Sequence, residues 1–191
     1  MVGRFLPAGF LICGLLQVGE PRAGDTRPAV AQAVSQAQQG QGGSQVQPLK
    51  SIPAAALNVL KGDETVRSCL DKRQMSSDQL PASWFSASQI HLSGAEQDDL
   101  LVQPISSPER AGCFHGVDCC AWFWVFRQVG KRYELVLKVF AGALSVRDTT
   151  SKGYRDIEVA SGNAKGYATM TFRFDGLRYK QFRKRTTYRD Q

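Results

Sequence analysis

A predicted β-hairpin between Ala121 and Phe140 constrains the fold more than any other part of this sequence. Residues alternate in character along both halves of this stretch, and a period of two is typical of strands with two unlike faces. Between the halves lies Gly130-Lys131, which suits a type II′ turn because glycine adopts a positive φ without a Cβ clash. A lone hairpin is only marginally stable in water, so this one must pack on further strands or on a helix.

A turn at these two residues also predicts which side chains face each other. The expected cross-strand pairs are Trp124–Leu137, Phe126–Leu135 and Trp122–Val139 on one face, and Arg127–Glu134, Val125–Val136 and Phe123–Lys138 on the other. The first face is entirely apolar, whereas the second carries Arg127, Glu134 and Lys138. We therefore expect the face with the two tryptophans to be the core, with the other face in water, rather than a stacking platform for a ligand.

The N-terminal residues 1–23 have the pattern of a secretory signal peptide. Arg4 provides a positive start, Phe5–Val18 an apolar stretch and Ala23 a small residue for cleavage. The apolar stretch is too short for a membrane anchor, which needs about 20 apolar residues. We predict a periplasmic or secreted protein with no membrane span. Without residues 1–23 the chain keeps 22 basic and 16 acidic residues, a net charge of +6 that suits acidic surfaces but does not indicate nucleic acid.

The rest of the chain predicts one β-rich domain over residues 51–191, preceded by a leader. Residues 24–50 are rich in Gln, Ala, Gly and Ser and contain no aromatic residue, which is typical of disorder. Pro53 and Gly62 bracket a first short helix, and Asp63 can cap a second that ends near Lys72. The expected fold is α+β and mostly antiparallel β, with short N-terminal helices packed on a hairpin-rich sheet, and the expected state is a monomer.

A second hairpin is predicted at Asp175-Gly176, a pair that favours a type I′ turn between strands over 169–174 and 177–182. This turn would place five apolar side chains on one core-facing side: Met170, Phe172, Phe174, Leu177 and Tyr179. The basic tail FRKRTTYRDQ that follows could contact phosphate or an acidic partner, but we expect it to form a solvated terminus.

Cysteine content indicates disulfides, because an exported chain matures in an oxidising compartment. Four cysteines remain after the signal peptide: Cys69, Cys113, Cys119 and Cys120. Adjacent cysteines disfavour bonding to each other, so the simplest framework joins Cys113 to one of that pair and Cys69 to the other. A zinc site that includes His115 and Asp118 is the alternative, but the spacing fits no usual structural zinc pattern.

Four motifs, WFWVFR, YELVL, GYRDIE and FDGLRY, together resemble a group of uncharacterised exported bacterial proteins. The resemblance covers residues 84–180. It implies export and a small β-rich domain, and it implies no activity.

Segments His91–Val102 and Asp148–Val159 resemble each other and the calcium-binding loops of FG-GAP and VCBS repeats. Those loops hold calcium with oxygen ligands and then enter a strand. The first segment keeps too few oxygen ligands. The second keeps Asp148 and Asp156 as weak metal candidates but has Lys152 at a ligand position, and we expect its ammonium group to replace the ion. No cofactor is predicted.

Catalytic signatures are missing from the sequence. It contains only His91 and His115 as bases near neutral pH, and no G-x-S-x-G, phosphate-binding loop or H-E-x-x-H motif. A Cys–His pair built on His115 has no orienting third group. Our first hypothesis is a non-catalytic binding or inhibitor-like protein whose partner is a protein or cell-envelope component. Its loops would present His115, Asp118, Tyr154 and Arg155. The second is a secreted hydrolase that uses carboxylates or a metal.

Overall fold

The computed structural model describes residues 46–93, 97–107, 112–116, 120–163 and 166–188. The signal peptide predicted at 1–23 and residues 24–45 of the predicted leader lie outside these ranges. Within them the chain forms two antiparallel sheets and two short α-helices, which confirms the predicted α+β, mostly antiparallel fold.

In both sheets the order of the strands follows the order of the chain. The first sheet contains β1 (Gln47–Pro48), β2 (Phe85–Ile90), β3 (Asp99–Pro104), β4 (Ala121–Val129) and β5 (Arg132–Ala141). The second contains β6 (Ala143–Ser151), β7 (Tyr154–Asn163), β8 (Gly166–Phe174) and β9 (Tyr179–Tyr188). Pairing of β1 with β2 means that regular structure begins before the expected residue, Ser51.

The two helices match their predicted start and stop signals. Helix α1 (Ala54–Lys61) follows Pro53 and ends at Gly62. Helix α2 (Glu64–Lys72) begins after Asp63, whose carboxylate accepts hydrogen bonds from the amides of Thr65 and Val66 at 3.0 and 3.2 Å. Such side-chain acceptors satisfy amides that have no partner within the helix.

The β4–β5 hairpin turns where predicted, but its register changes part of the way along. Gly130 has φ 61°, and the pairs Phe126–Leu135 and Arg127–Glu134 form as expected. Beyond them a bulge adds one residue to β5, so that Leu137 faces Val125. The predicted pairs Trp124–Leu137, Trp122–Val139, Val125–Val136 and Phe123–Lys138 are therefore wrong, and the structure has Trp124–Lys138, Trp122–Phe140 and Phe123–Val139 instead.

Strand β4 is buried on both faces, because the first sheet is the middle of three layers. On one face Trp124 and Phe126, both fully buried, pack with the helices in a helix-side cluster that also contains Leu60, Leu70, Phe85 and Phe114. On the other face Phe123 and Val125 pack against the second sheet in a sheet-side cluster that contains Leu137, Ile157, Val159, Phe174 and Tyr179. The tryptophan face is core, as predicted. The expectation of a solvated opposite face is wrong, because the second sheet covers it.

The β8–β9 hairpin also differs from the prediction, because its connecting loop is longer. Phe174 pairs with Tyr179 across a four-residue loop, not across a two-residue turn. The longer loop carries Leu177 out of the core, and its side chain is 70% exposed. The basic residues expected to form a solvated terminus are exposed as far as Tyr188, but up to that residue they belong to strand β9.

Candidate functional site

His115 directly follows the 3₁₀ turn Gly112–Phe114 and lies next to the start of β4. Its Nε2 atom is 2.9 Å from the carbonyl oxygen of Ile105, and its backbone bridges to Ala121 at the start of β4. Phe114 beside it is fully buried in the helix-side cluster. The imidazole therefore helps to fix the loop. Asp118 and Cys119 lie outside the described residues.

A disulfide joins Cys69 of α2 to Cys113 in this turn, with Cα atoms 5.8 Å apart and a sequence separation of 44. The expected pairing of Cys113 with Cys119 or Cys120 is wrong. Burial of Phe114 and of one face of α2 in the same cluster brings these two cysteines together. An open groove of about 460 Å³ lies beside the disulfide, lined by Glu64, Thr65, Ser68, Lys72 and Trp122.

Tyr154 and Arg155 lie far from His115, at the other end of β4. The ring of Tyr154 packs on Phe174 with centroids 4.2 Å apart, and the guanidinium of Arg127 lies 5.9 Å from its ring centre. Arg127 is six residues along β4 from the end next to His115, about 20 Å at the usual rise per strand residue. The structure therefore does not bring these candidate residues together in one surface.

The predicted calcium loop is a tight hairpin in which Asp156 is already surrounded by hydrogen-bond donors. Lys152 and Gly153 have φ values of 50° and 78°, as a two-residue type I′ turn requires. Buried Asp156 accepts hydrogen bonds from the hydroxyls of Thr149 and Ser151 at 2.9 and 2.7 Å. These donors hold the carboxylate within the fold.

Arginine residues supply the countercharges that we had assigned to Lys152. Arg155 pairs with Asp148, and Nε of Arg173 lies 3.5 Å from the carboxylate of Asp156. Lys152 instead donates to the carbonyl oxygen of Asp175 at 2.8 Å. The expectation that Lys152 replaces the ion is therefore wrong.

A second buried carboxylate, Asp99 of β3, is bonded to β4 and to the segment that follows β2. Its two oxygens accept hydrogen bonds from the amides of Leu92 and Gln128 at 3.0 and 2.8 Å. Burial raises the pKa of Asp99 above its usual range, although these amide bonds act against the shift. Burial, with a smaller contribution from the charges of Asp99 and Asp156, also raises the pKa of Tyr179, whose hydroxyl donates to the carbonyl oxygen of Arg155 at 2.6 Å. These contacts support the junction between the sheets.

A different surface, which includes part of the basic tail predicted to be a solvated terminus, covers the outer side of the second sheet. Arg183 and Arg185 of β9 lie opposite Thr171 and Thr169 of β8, and these four residues are called the basic face below. Together with Glu158 of β7 they line a shallow groove of about 140 Å³. The available signal was the run of three basic residues Arg183, Lys184 and Arg185, which begins seven residues after Gly176 of the Phe-Asp-Gly turn.

Strand β9 as a whole is exposed and basic. It contains Lys180, Arg183, Lys184 and Arg185 and no acidic residue. Apart from Tyr179 every residue of the strand is exposed, including Phe182 and Tyr188, whose exposed fractions are 58% and 76%. Strand β9 is also an edge of its sheet. Charges on an edge strand oppose its pairing with a second copy of the same strand. The exposed cations of β9 are therefore better suited to a ligand of negative charge.

Comparison with family models, with curated proteins and with solved structures finds no match to this chain. In the described ranges no group of three or more His, Cys, Asp or Glu side chains is arranged to hold a metal ion. Neither described helix has the length and apolar character needed to cross a bilayer.

Proposed function

We propose that this protein is an exported, non-catalytic binding protein and that it holds an acidic partner against strand β9. The observation that carries the proposal is the concentration of charge. Four basic residues and no acidic residue occupy this one exposed strand, in a chain whose formal net charge is +7. Clustered charge of one sign raises the local concentration of ligands of the opposite sign and speeds their association.

Three of these four cations differ from the other cations of the second sheet in having no ion pair with a described residue, whereas Lys180 lies 3.3 Å from Asp175. Arg147 lies 3.6 Å from Glu158, and Arg155 and Arg173 pair with Asp148 and Asp156. Among the described residues, by contrast, Arg183, Lys184 and Arg185 have no carboxylate within 4.0 Å. Cations without internal partners keep their hydrogen-bond donors available to a ligand.

Export is the second half of the proposal. It is supported by the signal-like residues 1–23 and by the disulfide between Cys69 and Cys113, a bond that persists in oxidising compartments. A protein or a cell-envelope component with acidic groups is the partner that fits. An inhibitor-like role would follow if the partner were an enzyme with an acidic rim.

The hydrolase hypothesis gains no support from the positions of the buried carboxylates. Both Asp99 and Asp156 accept hydrogen bonds from neighbouring groups of the fold, and neither lines the groove beside the disulfide or the groove of the basic face. A general acid or base must reach the substrate.

Affinity capture with a charge-reversal variant tests the proposed function. The full chain, the variant R183E/R185E and the control K131E/R132E are immobilised and exposed to extracts of the exported fraction. The control makes the same change in net charge at the exposed β4–β5 turn. We expect the wild type and the control to retain the same acidic partner and R183E/R185E to lose it. Equal retention by all three proteins would contradict binding at β9.

A further inference from the structure

The basic face has the geometry of a site for tetrahedral oxyanions. Arg183 and Arg185 are two residues apart on one strand, so their side chains leave the same face of the sheet about 7 Å apart. Each faces a threonine of β8, Thr171 for Arg183 and Thr169 for Arg185. Two guanidinium groups and two hydroxyls therefore border the same groove.

The groove contains one carboxylate, and that group is already paired. Glu158 lies 3.6 Å from Arg147, which approaches it from β6 on the side away from β9. The side that faces β9 is left to Arg183 and Arg185, neither of which has an ion pair with a described residue. The positive charge at this end of the groove is therefore not neutralised within the described fold.

The volume of the groove and the kinds of hydrogen-bond donor that border it indicate which anions it can bind. The groove volume of about 140 Å³ accommodates an anion of a few heavy atoms, since a water molecule occupies about 30 Å³ in the liquid. A carboxylate has two oxygens in one plane and is satisfied by a single guanidinium fork. A phosphate or sulfate group is tetrahedral, so its non-bridging oxygens, two in a polyphosphate chain and three in a sulfate ester, point in different directions and can be shared between two forks and a hydroxyl.

We propose that the basic face binds phosphate or sulfate groups carried along an extended anionic polymer. This inference rests on the proposed function and names the chemistry of the partner. A polymer fits better than a single anion because basic side chains continue along the strand beyond the groove as far as Lys180, whose ammonium also lies 3.3 Å from the carboxylate of Asp175. A second copy of this chain does not fit, because two cationic edge strands repel each other.

Binding assays with three defined polymers test this inference. The full chain is titrated with polyphosphate, with dextran sulfate and with polyglutamate of matched charge, and dissociation constants are measured by fluorescence anisotropy at two salt concentrations. We expect polyphosphate, dextran sulfate or both to bind about tenfold more tightly than polyglutamate, which corresponds to one additional charged hydrogen bond. Salt should weaken every complex. Whichever of polyphosphate and dextran sulfate binds more tightly identifies phosphate or sulfate as the group that the site recognises.

Single substitutions test whether the ligand binds at the groove itself or is attracted only by the overall charge of the strand. R183Q and R185Q each remove one cation from the groove, whereas K184Q removes one from the opposite face of the same strand, where Lys184 pairs with Met170. We expect each arginine variant to weaken polyphosphate or dextran sulfate binding about tenfold and K184Q to weaken it less than about threefold. The double variant R183K/R185K keeps the charge but loses the forks, and it should bind all three polymers alike.

Two results would overturn the inference. One is equal affinity for polyglutamate and for the tetrahedral polymers, and the other is an equal loss in K184Q and in R183Q. In either case the capture experiment still decides the proposed function, because a carboxylate-rich partner would be retained by the wild type and lost by R183E/R185E. If capture also shows no dependence on β9, both proposals fail.

Discussion

At the scale of single residues, two aspartates act as acceptors for backbone amides and differ in the sign of their pKa shifts. Asp99 is fully buried, so desolvation raises its pKa. Asp175 lies in the exposed β8–β9 loop and accepts hydrogen bonds from the amides of Leu177 and Arg178, both at 2.9 Å. These bonds lower the pKa of Asp175 to about 2. The same type of hydrogen bond thus accompanies opposite shifts, because only one of the two carboxylates is removed from water.

Substitution of Asp99 by alanine should be strongly destabilising. It leaves the buried amide of Leu92 and the partly buried amide of Gln128 without acceptors, and an unsatisfied buried group costs about 1–3 kcal/mol. We expect the free energy of unfolding, measured with urea, to fall by about 2–4 kcal/mol. Asp98, the exposed neighbour, provides the control, and D98A should cost less than about 1 kcal/mol. Equal losses in the two variants would show that the Asp99 acceptor has no special role.

For Asp175 the prediction is a dependence of stability on pH. The pKa of this carboxyl is lower in the folded protein than the usual 3.8, so its stabilising contribution is present above about pH 4 and is lost as the pH falls towards 2. The melting temperature of D175N should therefore lie below that of the wild type at pH 5–7, and the two should converge near pH 2. Asp78, whose side chain is 93% exposed, serves as control in D78N. A constant difference across the pH range would refute the contribution of the Asp175 charge.

At the scale of elements, strand β4 stands out because its side chains belong to both hydrophobic clusters, one on each face of the first sheet. Trp124 is fully buried and makes edge-on contacts with Phe85 and Phe114, with ring centroids 5.8 and 5.7 Å apart. Its indole nitrogen has no hydrogen-bond acceptor among the described residues. The contribution of Trp124 is therefore packing alone.

Replacement of Trp124 by alanine should lower the free energy of unfolding by about 3–5 kcal/mol, the range for a large buried aromatic side chain. W124F keeps part of the ring volume and loses no hydrogen bond, so it should cost clearly less. Trp122 on the same strand is only partly buried, and W122A should also cost less than W124A. Urea unfolding followed by circular dichroism provides the measurement. A W124A protein with wild-type stability would contradict the core assignment.

The disulfide joins α2 to the turn before β4 and closes a long loop. For a loop of 44 residues the chain-entropy relation gives about 4 kcal/mol of stabilisation. We expect C69A/C113A to lose roughly this amount in urea unfolding under oxidising conditions, and non-reducing peptide mapping to recover the peptide pair that contains Cys69 and Cys113. Recovery of Cys113 linked to another cysteine would show that the pairing differs in the mature protein.

At the scale of the whole molecule, the features that the sequence predicted are those determined locally. The turn at Gly130 and the Asp63 cap depend on a few adjacent residues, and both form as expected. The bulge in β5 was not predicted, because nothing in the hairpin sequence signals it; it lies next to Val125, which packs against the second sheet. The part of β9 after Phe182 was expected to be a solvated terminus, because an exposed edge strand needs no apolar alternation, and apolar alternation was the signal used to find strands. Contact of this basic segment with phosphate or an acidic partner was for that reason the less favoured of two interpretations.

The order of the strands has a consequence for how the chain reaches its fold. In the second sheet each strand pairs with the one before it in the chain, and the connections are hairpin loops. Contacts between segments close in sequence require little loop closure, and chains rich in them fold fast for their size. Such a sheet can assemble one strand at a time, with β9 adding to an edge already formed by β8. A chain that crosses a membrane unfolded would need no distant segment to complete the surface on which its proposed ligand binds.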